Sequence, residues 1–154
     1  MKKIWSFLRL EFLPSSTDLG LLVLRLWLGL SLLVLHGWTK LSTFQELSGK
    51  FSDPLGIGSK ASLSLAVFGE VAGALFVVLG LFTRMGALSC AVTMGVAFFF
   101  THGAKLKDSG NGELAFIYLA GFVAILIAGP GRFAIDGSSK SGKSAKSSGS
   151  SKSK

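Results

Sequence analysis

Residues 61–82 read ASLSLAVFGEVAGALFVVLGLF, and Glu70 is the only ionisable side chain among them. About 20 consecutive apolar residues are enough for an α-helix to cross the ~30 Å hydrocarbon core of a bilayer. A carboxylate at that depth costs about 2.5 to 3.5 kcal/mol on insertion scales, so it normally faces protein or a water-filled cavity and has a partner. The stretch therefore predicts a membrane helix, and Glu70 marks a candidate functional site.

Three other stretches are comparably apolar, which gives four predicted spans at about residues 19–37, 61–82, 85–102 and 113–128. A helix in a soluble bundle keeps one polar face, whereas most of each stretch has none. Backbone groups in lipid must be satisfied inside each segment, which favours helices. We therefore predict an all-α fold: an integral membrane four-helix bundle over residues 19–136, preceded by a short cytoplasmic segment, 1–18, and in contact with the lipid bilayer.

Basic residues are distributed unequally between the two sides of such a bundle. The side that holds both termini and residue 84 carries ten Lys and Arg residues, and the opposite loops carry five. Because Lys and Arg accumulate in cytoplasmic segments, we predict a multi-pass protein with both termini in the cytoplasm.

The tail, residues 137–154, contains only Ser, Gly, Lys and one Ala. This composition cannot form a core, so the tail is predicted to be disordered. The chain has a net charge of +8, but no aromatic residue lies among the tail lysines for bases to stack on. We therefore predict contact with anionic lipid headgroups and no nucleic-acid partner.

An intramembrane polar site is predicted from five residues on the spans and their ends. Arg25 is the isolated charge of the first span, and we expect it to contact Glu70 directly. His36 follows Arg25 by eleven residues, which is about three helical turns, so both are expected on one face. His102 and Glu113 lie at helix ends on the same side as His36. One cavity that opens outward would contain all five.

Two alternatives remain open for these residues. Arg25 and Glu70 could form a purely structural ion pair that fixes which helices touch. His36, His102 and Glu113 could simply be interfacial side chains. Two His and a carboxylate suit Zn or Fe, but they lack a local spacing motif, and we predict no metal. Trp38 and Lys40 are interpreted as interface anchors.

The order of short motifs along the chain resembles the DoxX family of small bacterial four-span membrane proteins. The motifs are LRL at 24–26, HGWTKL at 36–41, GEVAG at 69–73, LGLFTR at 79–84, His102, EL at 113–114 and GPGRFAID at 129–136. Together they cover about residues 18–136.

The resemblance implies a bundle in the bacterial inner membrane whose family positions are Arg25, His36, Lys40, Glu70, His102 and Glu113. Relatives are linked to quinone-coupled oxidation of reduced sulfur compounds and to thiol or oxidative-stress redox complexes. This implies a membrane subunit of a redox complex whose polar cavity fits a quinone or another small molecule, with a soluble oxidoreductase as partner; the sequence leaves the cofactor open. The chain contains a single cysteine, Cys90, and no catalytic residue is assigned. The alternative is a non-enzymatic transporter or assembly factor that uses a buried Arg–Glu pair for packing or proton coupling.

Overall fold

The computed structural model describes residues 7–8, 10, 16–107 and 111–137, and every regular element among them is helical. Four long helices follow each other along the chain: α1 (Thr17–Ser42), α2 (Ser59–Leu79), α3 (Thr83–Thr101) and α4 (Glu113–Ala128). A one-turn helix, Phe44–Leu47, lies between α1 and α2. The predicted tail from residue 138 and most of segment 1–18 lie outside the described residues.

The helices α1, α2 and α3 are long and apolar enough to cross a membrane, and α4 is a shorter apolar helix of 16 residues. The predicted all-α membrane fold is thus confirmed. The first helix continues to Ser42, past the expected end near residue 37, so Lys40 lies within it. The second helix stops at Leu79 because Gly80 (φ 72°) and Phe82 (φ 47°) adopt left-handed conformations that turn the chain into α3.

The four helices form a closed bundle in which α1 packs on α2, α2 on α3, α3 on α4, and α4 on α1. Each helix contributes at least one fully buried side chain to the core, for example Leu32, Val77, Cys90 and Phe122. The Cys90 thiol donates a hydrogen bond to the Gly69 carbonyl at 3.3 Å, so this cysteine packs as a small buried residue.

Glycines allow unusually close helix contacts along α2. A Cβ at Gly37 of α1 would lie 2.7 Å from the Glu70 carbonyl oxygen, and a Cβ at Gly86 of α3 would lie 2.6 Å from that of Gly73. Small residues permit such approach between membrane helices. The backbone that carries Glu70 is therefore held directly against α1.

Three helices contain π-helical segments: Leu32–Gly37 in α1, Phe68–Gly73 in α2 and Ala97–Thr101 at the end of α3. The segments of α1 and α2 pack against each other. π-helical turns are rare in proteins, and those that do occur are often at functional sites. Here they surround His36, Glu70 and the start of the 102–112 connection.

One end of the bundle holds both terminal segments and will be called the termini end. There Asp18, in the first turn of α1, accepts a 2.8 Å hydrogen bond from the backbone N–H of Arg132. Asp136 reaches the turn between α2 and α3, where its N–H donates to the Gly80 carbonyl at 2.9 Å. The opposite end, formed by the 43–58 and 102–112 connections, will be called the loop end.

Candidate functional site

Arg25 and Glu70 do not form the predicted ion pair. The Arg25 guanidinium donates to the carbonyl oxygens of Val77 at 2.9 Å, Pro130 at 2.8 Å and Val78 at 3.2 Å. Val77 follows Glu70 by two helical turns, about 10 Å along α2. The guanidinium is therefore directed to the termini end, where carbonyls at the end of α2 need donors.

Glu70 pairs instead with Lys40. The Lys40 ammonium lies 2.7 Å from the Glu70 Oε2 atom, and both helices contribute a π-helical turn next to the contact. The Glu70 side chain is 5% exposed and that of Lys40 is 23% exposed. Lys40 was interpreted as an interface anchor, and the structure shows that its ammonium reaches inward to the carboxylate.

A cavity of about 470 Å³ lies beside this ion pair. It is bounded by α2, α3, the end of α1 and the 51–55 segment of the loop end. Most of its lining is apolar, and Lys40, Glu70 and His102 supply the ionisable groups. Hydroxyl groups come from five residues that also line it: Ser52, Ser62, Ser89, Thr93 and Thr101. An apolar pocket with a few converging polar groups is the usual form of a small-molecule site.

The loop above the cavity is fixed by Asp53. Its carboxylate accepts hydrogen bonds from the N–H groups of Ile57 at 3.0 Å and Gly58 at 2.7 Å, and from the Ser62 hydroxyl at 2.7 Å. These bonds, that of Ser62 first, lower the pKa of Asp53 below its ordinary value. The carboxylate is thus ionised at neutral pH and ties the loop to the first turn of α2.

The remaining predicted site residues separate. His36 packs edge to face on Tyr118 of α4, with ring centroids 5.8 Å apart, and does not line the cavity. His36 lies within the π-helical segment Leu32–Gly37, where the angular register of a regular helix, used to place it with Arg25, does not apply. Glu113 is exposed at the start of α4.

The backbone positions that carry His102 and Glu113 are nevertheless close in space. A Cβ on Gly112, the residue before Glu113, would lie 2.9 Å from the His102 Cβ. The expectation that these helix ends meet on one side of the bundle is supported by this contact. Within the described part of the chain, however, no group of three or more His, Cys, Asp and Glu side chains could hold a metal ion.

Sequence reasoning missed two polar contacts of α1. The first is Lys40, which is found four residues after His36, so a helical projection could have placed it on a nearby face. The second is Ser31, whose hydroxyl accepts a 2.9 Å hydrogen bond from the Tyr118 hydroxyl. Tyr118 has no distinguishing spacing, and only the helix packing reveals it.

The fold and the site define a multi-pass membrane protein whose helices enclose a polar pair beside an apolar cavity. A profile of the DoxX family matches residues 20–103. The chain is also 33% identical over 111 residues to an uncharacterized protein of Haemophilus influenzae, in an alignment that covers 67% of this chain and 78% of that protein. No solved structure matches it. The chain belongs to the DoxX family.

Proposed function

We propose that this protein is the membrane subunit of a redox complex and binds a quinone in the cavity beside Lys40 and Glu70. The observation that carries the proposal is the location of this ion pair on the wall of a mostly apolar cavity of about 470 Å³. Ligand sites of this kind typically measure about 300 to 1,000 Å³. The cavity thus has room for a substituted ring.

The lining has the donors that such a ligand needs. A quinone has an apolar ring with carbonyl oxygens, and when bound it supplies an acceptor for two electrons and two protons. The Lys40 ammonium is placed to donate to an oxygen in the cavity, and Glu70 beside it can hold a proton at its carboxylate. His102, at the loop end of the same cavity, provides a second hydrogen-bond donor, a ring N–H, which can also carry a proton.

Electrons would come from a partner protein. The chain has one cysteine, and its thiol is buried against the Gly69 carbonyl. A dithiol within the chain is therefore not available to collect electrons from a substrate. We infer, from the family resemblance, that this partner is a soluble oxidoreductase that docks at the membrane and acts on a thiol or a reduced sulfur compound.

We also propose that the protein lies in the bacterial inner membrane with both termini in the cytoplasm. Asp18 and Arg132 meet at one end of the bundle, so the two terminal segments share a side. Counted outside the four spans predicted from the sequence, that side carries ten Lys and Arg residues, against five on the other. Reporter fusions after Lys154 and within the loop at Gly56 test the orientation, and an external C-terminus would reverse it.

The alternative of proton-coupled transport is less well supported. It depended on a buried Arg25–Glu70 pair, and Arg25 instead donates to three backbone carbonyls. These bonds tie α1, α2 and the segment after α4 together at the termini end. The contacts favour a binding site with one opening over a transport path across the bundle.

Quinone binding can be tested on the full-length protein in lipid nanodiscs with decylubiquinone as the probe. We expect saturable binding to the native protein and an affinity at least tenfold lower for Lys40→Met and Glu70→Gln, because a hydrogen bond to a charged group contributes about 1.5 to 3 kcal/mol. Lys60→Met changes an exposed lysine of α2 and serves as the control. Absence of saturable binding, or equal binding by all four proteins, would contradict the proposal.

A further inference from the structure

We propose that the cavity opens sideways into the lipid between α2 and α3, so that its ligand is an amphiphile with its head at Lys40 and Glu70 and its hydrocarbon tail in the bilayer. This inference rests on the proposed function and adds the binding mode and the direction of entry. Four observations support it.

The first is the shape of the cavity. On α3 its lining extends from Ser89 to Thr101, at positions that recur every three or four residues along one face of the helix, and His102 follows directly after the helix. Ser89 and Thr101 are twelve residues apart, which corresponds to about 18 Å along the helix axis. The cavity is therefore a long cleft that follows the helices across more than half of the ~30 Å hydrocarbon core.

The second is the chemistry of its lateral rim. Leu65 and Phe68 of α2 and Val92 of α3 line the cavity, and they are 56%, 59% and 57% exposed. Val92 is nine residues from each end of α3, so it lies near the middle of the hydrocarbon core. At that depth an exposed apolar side chain contacts lipid. The rim is consequently suited to a hydrocarbon chain.

The third is the cover at the loop end. Phe51, Pro54 and Leu55 line the cavity there, and the loop that carries them is attached to α2 through Asp53 and Ser62. Because Asp53 is ionised at neutral pH, these bonds are present under ordinary conditions. The loop thus forms a roof between the cleft and water.

The fourth is the position of the polar groups relative to that rim. The Lys40–Glu70 pair lies where α1 closes the inner side of the cleft, since Gly37 packs directly against the Glu70 backbone. A ligand with one oxygen-bearing end and one apolar end satisfies both walls at once. A small fully polar solute would instead face apolar walls along most of the cleft, where its polar groups would lack hydrogen-bond partners.

Photo-crosslinking tests the location of the tail. The probe is a benzoquinone with a diazirine on an alkyl chain, added to the full-length protein in nanodiscs. We expect adducts on Leu65, Phe68 and Val92. Adducts confined to Phe51 and Leu55 would show that the tail lies under the loop, and the lateral opening would be wrong although the quinone site would remain.

A pair of tryptophan variants tests the same point by affinity. Val92→Trp narrows the lateral rim, and Met85→Trp changes an exposed residue two turns away on the same face of α3 that does not line the cavity. We expect Val92→Trp to reduce the affinity for decylubiquinone at least tenfold, with less than a threefold change for the tailless ubiquinone-0. Met85→Trp should leave both affinities unchanged.

The outcomes separate the two proposals. An equal loss for both quinones in Val92→Trp, or no loss for either, would contradict the lateral tail position while leaving a quinone site in place. If the native protein bound neither quinone, the proposed function would fail, and the inference that rests on it would fail too.

Discussion

Two regions of the bundle each contain a buried charged residue, and they satisfy its charge differently. Arg25 at the termini end is 1% exposed and donates to three backbone carbonyls. Glu70, nearer the loop end, is 4% exposed, pairs with the partly exposed Lys40 and borders a cavity. A buried charge that the backbone fully satisfies indicates a structural role. A buried charge whose one partner is partly exposed, beside a cavity, indicates a binding site.

The location of Arg25 follows from the chemistry of helix ends. The last carbonyls of α2 have no partner within the helix, and the partial negative charge at its C-terminus attracts cations. The planar guanidinium presents several donors at fixed angles, so a single side chain can serve Val77, Val78 and Pro130 together. A lysine could donate from only one nitrogen atom.

The largest expected effect is the loss of the Arg25 contacts. Arg25→Met removes the donor of three carbonyls and should lower the free energy of unfolding by about 3 to 5 kcal/mol, because each buried acceptor that loses its partner costs about 1 to 3 kcal/mol. Unfolding in detergent, followed by circular dichroism, measures it. Arg84→Met is the control, since Arg84 makes one long 3.4 Å bond to the Ile127 carbonyl. Equal stability of the two variants would remove the structural role of Arg25.

A second large effect is expected at Gly80. This residue has a φ of 72°, and a Cβ there would overlap the Arg25 guanidinium and lie 2.7 Å from the Ala134 Cα. Gly80→Ala should therefore destabilise the protein by about 2 to 4 kcal/mol, the sum of left-handed strain and overpacking.

Gly20→Ala is the matched control for Gly80→Ala. Gly20 lies in α1, and a Cβ added there would have no other atom within 4 Å, so its replacement should be neutral or stabilising by up to about 1 kcal/mol. Thermal unfolding of the two variants compares them. Similar transitions would show that the turn at the termini end tolerates a side chain.

A smaller change in stability is expected at the loop end. Lys40→Met leaves the Glu70 carboxylate buried without its partner and should cost about 1 to 3 kcal/mol. Glu70→Gln should cost less, because Lys40 is partly exposed and can turn to water. The double variant should be more stable than the sum of the single changes predicts, with a coupling of about 0.5 to 3 kcal/mol in a double-mutant cycle. Additive effects would show that the pair is not coupled.

The sequence was sufficient to predict the helical class and the four apolar stretches, because length and apolar composition decide whether a segment can cross a bilayer. Helix ends were less predictable. The end of α2 at Leu79 depends on the left-handed conformations of Gly80 and Phe82, in a sequence that remains apolar through Phe82. The orientation in the membrane stays a prediction.

The site was only partly predictable from the sequence. Glu70 was singled out because an isolated charge in an apolar run needs a partner, and the structure shows that it has one. The identity of the partner depends on where Lys40 and Arg25 point. Helical projection with 3.6 residues per turn fails across the π-helical segment Leu32–Gly37. Contacts between helices, such as Tyr118 with Ser31, require the packing itself.

The smallest expected effect is a pH dependence at the termini end. Asp136 lies after α4, and its carboxylate accepts bonds from the Thr83 N–H at 2.7 Å, the Thr83 hydroxyl at 3.0 Å and the Phe82 N–H at 3.1 Å. Desolvation alone would raise the pKa of Asp136, but these bonds and the Arg25 charge outweigh it and lower the pKa. The carboxylate therefore stabilises the fold above its unfolded pKa of about 3.9. This contribution is lost as pH falls through the lower folded pKa.

Asp136→Asn should accordingly reduce the drop in melting temperature between neutral pH and pH 3, because the amide does not titrate. The part of the free energy of unfolding that depends on the Asp136 charge should stay below about 1 kcal/mol, since the carboxylate is partly exposed and solvent screens its interactions. Asp53→Asn makes the same change at the loop end, where the pKa of the carboxyl is also lowered.

The two Asn variants also test whether Asp136 secures the segment that covers Arg25. If it does, Arg25→Met should destabilise the Asp136→Asn protein less than it destabilises the native protein. Arg25→Met should destabilise the Asp53→Asn protein as much as the native protein. Equal effects of Arg25→Met in the Asp136→Asn and Asp53→Asn backgrounds would show that the Asp136 and Arg25 contacts act independently.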